Sequence, residues 1–173
     1  MEKIKEILED KHNKENRDAI IKYVGNDKKK MKVLMSFFLD DKWHWRYNQR
    51  ASWPIGVIGK KKPHLIQPYL GRMVKALENP SHDAIARNTI NIFQEIDVQE
   101  ALEGELYARC FEFLCDPKVA IAIRAFSITV LLKIAMKYED LKPELIAALE
   151  EHYPHGSSGF KNRAGKALNK LKS

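Results

Sequence analysis

Apolar residues recur every fourth position in three stretches of the chain, and the stretches are in register with one another. Leu65, Tyr69, Met73 and Leu77 form the first; 37 residues on stand Leu102, Leu106, Cys110 and Leu114; 39 beyond those stand Leu141, Leu145, Leu149 and Tyr153. Positions four apart share one face of an α-helix, so the spacing predicts three helices presenting the same stripe at the same phase. Met31, Met35 and Leu39 make a looser copy, 38 residues ahead of Tyr69, Met73 and Leu77. A second series follows the first. Arg50, Arg87, Arg124 and Arg163 are separated by 37, 37 and 39 residues, and each precedes a short residue (Ala51, Asn88, Ala125, Ala164) and further apolar positions at helical spacing.

A fixed period of this size marks a stack of helix pairs, each too small to bury its apolar face alone. The pattern predicts four pairs, at about 27–40 with 42–59, 64–78 with 82–96, 101–115 with 118–138, and 141–153 with 158–172. Two short helices, 2–10 and 14–25, come first, and their Ile4, Ile7, Leu8, Ile20, Ile21 and Val24 can close one end of the stack. The expected organisation is an N-terminal helical cap over 1–26 and one continuous repeat domain over 27–173. Asp40-Asp41, Asn79-Pro80, Asp116-Pro117 and Pro154-His155-Gly156 punctuate the joints. Asp and Asn accept from the free amides of a helix start, and proline cannot continue the helix before it.

Composition adds limits. Among 173 residues, 45 % are hydrophobic and 31 % charged, which suits a folded helical protein. No apolar run approaches the ~20 residues needed to span a bilayer, and the N-terminus lacks a signal-peptide apolar core, so a cytoplasmic location without membrane contact is expected. Cys110 and Cys115 are the only cysteines, with neither a disulfide framework nor a zinc-ligand spacing. Both are expected to serve as small buried hydrophobes. The net charge of +7 is uneven: residues 1–86 carry +7, 87–156 carry −5 and 157–173 carry +5. Such blocks steer polyanions or simply solvate outer faces. The six histidines contain no metal-ligand pair, no nucleophile elbow or phosphate-binding loop is present, and no cofactor or metal is expected.

Helix pairs of this length resemble the HEAT and armadillo-like repeat families. The local match is Leu114-Cys115-Asp116-Pro117 followed by Val119 and Arg124-Ala125, an Asp-Pro joint ahead of a valine and arginine opening the second helix. The arginine stands seven residues after Pro117 and seven after Pro80, later than in the family pattern. The resemblance implies an all-α, right-handed α-solenoid of four HEAT-like pairs. It also implies a concave inner groove formed by the second helices.

Two readings of the repeated arginines stay open. In HEAT-like stacks the second-helix arginine joins a ladder with the joint aspartates, here Asp41 and Asp116. Alternatively, guanidinium groups on the inner face clamp carboxylates or phosphates. Arg87 has Asp83 one turn back for an i,i+4 pair, whereas Arg50 has Arg46 there, and two cations one turn apart invite an anion.

All three tryptophans fall between Trp43 and Trp53, interleaved with Arg46, Tyr47 and Arg50. On a helix Trp43, Arg46, Tyr47 and Arg50 share one face, and Pro54 is expected to kink the segment behind them. These rings either fill the gap between repeats or offer surfaces for stacking. The candidate binding residues are therefore Trp43, Arg46, Tyr47 and Arg50, extended by Arg87 and Arg124. The expected function is a non-catalytic scaffold that holds a macromolecular partner, a protein segment with acidic groups, in its groove. The alternative is nucleic-acid binding. The same surface resembles HEAT-like-repeat alkylpurine DNA glycosylases, whose basic cleft carries tryptophans, an aspartate and an arginine; Asp40, Asp41 and Asp83 are the nominal aspartates. Partner identity and oligomeric state are not legible in the sequence.

Overall fold

A computed structural model describes all residues 1–173 as helices and turns, with no strand. The chain divides into two units, residues 1–96 and 97–173. In the first unit α1 (Glu2–Glu9), α2 (Lys14–Val24) and α3 (Lys28–Leu39) lead to the long α4 (Trp45–Lys61). Two 3₁₀ turns (Pro63–Leu65 and Gln67–Tyr69), the short α5 (Leu70–Lys75) and α6 (Asp83–Phe93) complete it. The second unit contains α7 (Glu100–Cys115), α8 (Ile121–Ala135), a 3₁₀ turn (Glu139–Leu141), α9 (Lys142–His152) and α10 (Ser158–Leu171).

Helix starts are fixed by side-chain caps that consume otherwise unpaired amides. Asn13 accepts from Asn16 N, Asp27 from Lys29 N and Lys30 N, and Ser157 from Phe160 N. The α4 and α6 caps are histidines: His44 Nδ1 accepts from Arg46 N and His82 Nδ1 from Ala84 N. Three boundaries differ from the periodic expectation. The helix predicted over 64–78 is broken into 3₁₀ turns before α5, where Pro68 has no amide to donate to the carbonyl of His64 one α-turn back. α8 starts at Ile121 because Asp116 accepts from Lys118 N and holds the joint as a turn. α4 starts at Trp45, so Trp43 lies outside the helix.

α4 is the centre of the first unit, packing against α1, α2, α3 and α6. It runs on through Pro54, whose missing amide leaves the carbonyl of Arg50 without an intrahelical donor. Its contact with α6 is close because the facing positions are glycines. A Cβ on Gly59 would sit 2.9 Å from Ile92 Cδ1, and one on Gly56 3.1 Å from Asn88 Oδ1. Phe37 and Phe38 of α3, Ile55 and Ile58 of α4 and Phe93 of α6 fill the interior. In the second unit α8 lies against α7 and α10, burying Leu106, Cys110, Leu114, Ile128, Leu131 and Phe160. Cys110 is one of these hydrophobes, and burial pushes its thiol up to about 12.

Two buried asparagines tie the α3–α4–α6 layer together. Asn48 Nδ2 donates to the carbonyls of Phe37 (3.0 Å), Phe38 (3.2 Å) and Asp40 (3.4 Å), capping the end of α3, while its Oδ1 accepts from Ser81. Asn88 Nδ2 donates to Ser52 Oγ at 2.9 Å and to Ala84 O at 2.8 Å. Polar groups buried at these positions are stable only because every donor meets an acceptor.

Candidate functional site

The repeated arginines separate by what their guanidinium groups touch. Arg50 Nη1 donates to the carbonyls of Leu8 and Asp10, the free acceptors at the end of α1. Arg124 Nε donates to Leu114 O at 3.0 Å, near the end of α7, and its plane lies 5.3 Å from the Phe160 ring. Arg163 donates to Thr129 Oγ1 at 2.8 Å and covers Phe126 at 5.2 Å. Arg50 and Arg124 thus hold backbone carbonyls at helix ends rather than joint aspartates. Helix ends present carbonyls that a planar donor can bridge, whereas Asp116 is already engaged by Lys118 N. Arg87 is the exception. It is exposed, and no ion pair forms with Asp83 one turn back.

The aromatic segment also divides. Trp43, in the turn ahead of α4, leans on Phe37 (4.5 Å) and Tyr47 (5.7 Å) and donates from Nε1 to Ser36 Oγ at 3.2 Å. Tyr47 stacks on Phe37 and donates its hydroxyl to Glu9, which raises the phenol pKa and lowers that of the carboxyl. Both rings are half-buried. Trp53 carries the Arg17 guanidinium 4.8 Å from its ring centre and meets His12 edge-on at 5.3 Å. Only Trp45 is open to solvent, at 40 % exposure. Its ring stacks on His82 at 5.5 Å with the planes 7° apart, and exposed Arg46 lies 5.5 Å from its centre.

Arg46 and Arg50, with Leu8, Glu9, His44 and Tyr47, line a pocket of about 330 Å³. On the neighbouring surface His12 is held below its ordinary pKa, by burial first and then by the positive charges of Arg50 and Arg87. The first unit therefore presents exposed Arg46, without an ion-pair partner, against an exposed indole–imidazole stack, and a second exposed arginine without one, Arg87. Sequence reasoning missed Trp45, His44 and His82. A signal existed: Trp45 and His82 stand 37 residues apart, the period of the arginines, so equivalent positions of successive repeats stack face to face.

Charge follows the same division. Residues 1–96 contain 19 basic and 12 acidic side chains, a balance of +7, whereas 97–173 contain 11 of each. Several basic groups of the first unit are already engaged. Lys60 pairs with Glu95 at 2.7 Å, Lys62 donates to Gly25 O, and Lys30 donates to Tyr23 O and lies over the Tyr23 ring. Among the aspartates, Asp40 accepts from Ser36 and Arg72, and Asp83 is exposed in the first turn of α6. Asp41 lines a different pocket, beside Arg72 and Lys75.

Period, paired helices and a second-helix arginine in each repeat define a helical-repeat scaffold. The family model of the HEAT repeat domain matches residues 4–169, and the chain belongs to that family. Comparisons with curated proteins and with solved structures give no match. No helix is long and apolar enough to cross a membrane.

Proposed function

We propose that this HEAT-repeat scaffold is non-catalytic and holds an acidic segment of a partner protein on its first unit. Arg46 and Arg87 supply the charge and Trp45 the apolar contact. Trp43, Tyr47 and Arg50 act beneath that surface: they fix α4 against α1 and α3, so that Arg46 and Trp45 are presented from a rigid helix start. Arg124 holds the end of α7 and is a structural member of the set. The observation that carries the reading is exposed Arg46 beside the exposed Trp45–His82 stack, in the unit that bears the whole net charge and a second arginine without an ion pair, Arg87. Aromatic and arginine side chains of this kind are the usual anchors of protein interfaces.

A nucleic-acid partner is the second reading, favoured by the +7 balance and by the indole–guanidinium pair, which suits base stacking. Against it, Glu9 and Asp10 intrude on the surface, and Lys30, Lys60 and Lys62 are spent on internal contacts. Cytoplasmic residence fits both readings. Fluorescence anisotropy with a labelled Asp/Glu-rich peptide containing one leucine, beside labelled duplex and single-stranded DNA, separates them. The expected result is peptide binding that falls at least tenfold in the Arg46→Glu/Arg87→Glu variant and weakens when Trp45 becomes Ala. Tighter binding of either DNA, with a steep loss of affinity on adding salt, would replace this reading with the nucleic-acid one. It would also justify an assay for release of alkylated bases.

A further inference from the structure

The second unit carries a groove of about 950 Å³ whose chemistry is the reverse of the first unit's surface. Its floor is apolar: Ala101, Gly104 and Tyr107 from one face of α7, Ile134 near the end of α8, and Tyr138 and Leu141 from the turn that follows. Its polar residues are acidic, Glu100, Glu103 and Asp140. Glu103 is buried and already neutralised, accepting from Lys137 and from the Tyr138 hydroxyl at 2.9 Å. Glu100 and Asp140 are exposed and form no ion pair. A low-polarity floor beneath two unpaired carboxylates favours a ligand that brings both apolar side chains and cations.

Gly104 gives an independent sign. It stands in the second turn of a sixteen-residue helix, where glycine is, after proline, the poorest helix former. Nothing in the fold requires it, because a Cβ built there would meet no atom within 4 Å. At Gly56 and Gly59 a neighbouring element explains the missing side chain; at Gly104 the space lies open in the groove. A bare helix surface of this kind lets another backbone approach closely. Exposed Ala101 beside it extends the same small surface.

We propose that this groove is a second docking site, for a basic amphipathic helix of a partner protein. The helix lays its apolar stripe across Gly104, Tyr107 and Leu141 and directs lysine or arginine side chains to Glu100 and Asp140. The site is independent of the acidic-segment surface, since it lies in the other unit and selects the opposite charge. Fluorescence anisotropy of the full chain tests it with a labelled helical peptide of leucine and lysine faces, beside a counterpart with glutamate for lysine. The lysine peptide is expected to bind at least tenfold more tightly than the glutamate peptide. Gly104→Leu fills the groove while improving helix propensity, so the fold is retained; it should weaken the lysine peptide at least tenfold. Glu100→Lys/Asp140→Lys should do the same, and Arg46→Glu/Arg87→Glu should change nothing. Equal binding of the two peptides, or affinity indifferent to Gly104→Leu, would overturn the proposal. So would a dimer in sedimentation that Gly104→Leu makes monomeric, which would assign the groove to a second copy of the chain.

Discussion

Replacing Arg50 by Met keeps the aliphatic stem and removes the guanidinium, which makes it a clean probe of whether the repeated arginines hold the fold. The lost contacts are two charge-assisted hydrogen bonds to the last carbonyls of α1, one part-buried at Leu8 and one exposed at Asp10. Hydrogen bonds to charged groups contribute ~1.5–3 kcal/mol each, but water can replace the one at Asp10, leaving about 1.5 kcal/mol from the bond at Leu8. A cation at a helix C-terminus adds roughly 0.5 kcal/mol through the macrodipole. Arg50→Met should therefore destabilise the first unit by about 2 kcal/mol. In urea, with a slope of about 1–2 kcal/mol/M, the midpoint moves down by roughly 1 M. Because the chain has two units, the transition should be followed by tryptophan emission, since all three tryptophans lie in the first. Arg87→Met, with no contact to lose, should shift stability by less than about 0.5 kcal/mol. A loss below that level for Arg50→Met, or equal losses at the two sites, would refute the division into structural and free arginines.

Three further outcomes follow from contacts elsewhere. Asn48→Ala leaves the carbonyls at the end of α3 without their donor and should cost about 2–3 kcal/mol by the same urea measurement. Asn48→Asp, which sets a carboxylate against those carbonyls, should cost more. His12 should titrate below its ordinary value of 6.5 by proton NMR, and Arg87→Met should raise its midpoint. The imidazolium is disfavoured in the folded chain, so this stability is present above pH 6.5 and is lost as pH falls toward the folded midpoint. Lys137→Met should lower the urea midpoint of the second unit, because buried Glu103 then keeps only the Tyr138 hydroxyl as a donor. Glu103 is held below its usual range first by its bond to Lys137, so its contribution is present above pH 4.5 and lost as pH falls through the folded value. In Lys137→Met, acid unfolding followed by circular dichroism should begin at higher pH.

The architecture was legible because repetition records helix phase directly. The stripes ending at Leu114 and Tyr153, and the arginine series behind them, gave the order of helix pairs before any coordinate. Boundaries were less legible where one residue overrides a pattern, as Pro68 does within the apolar stripe from Leu65 to Leu77. The candidate surface was half legible. Arg46 stood out by its neighbour Arg50, yet one-dimensional spacing could not show that Arg50 is bound to α1, forty residues earlier in the chain. Trp43 was placed on a helical face by counting, but α4 begins two residues later and turns that ring inward. Trp45 was left off the candidate face because counting put it round the other side of the helix from Arg46, and its stacking partner, His82, lies in the next repeat. The groove around Gly104 was invisible in sequence, since a glycine without neighbours looks the same as one that permits packing.

The most direct test of the acidic-segment surface is two-dimensional ¹H–¹⁵N NMR of the three tryptophan indole N–H groups during titration with the acidic peptide. The account predicts that the Trp45 signal moves progressively while that of Trp43, bonded to Ser36, stays in place. Movement of Trp43 or Trp53 with Trp45 stationary, or no indole movement at peptide concentrations that saturate the anisotropy, would contradict it.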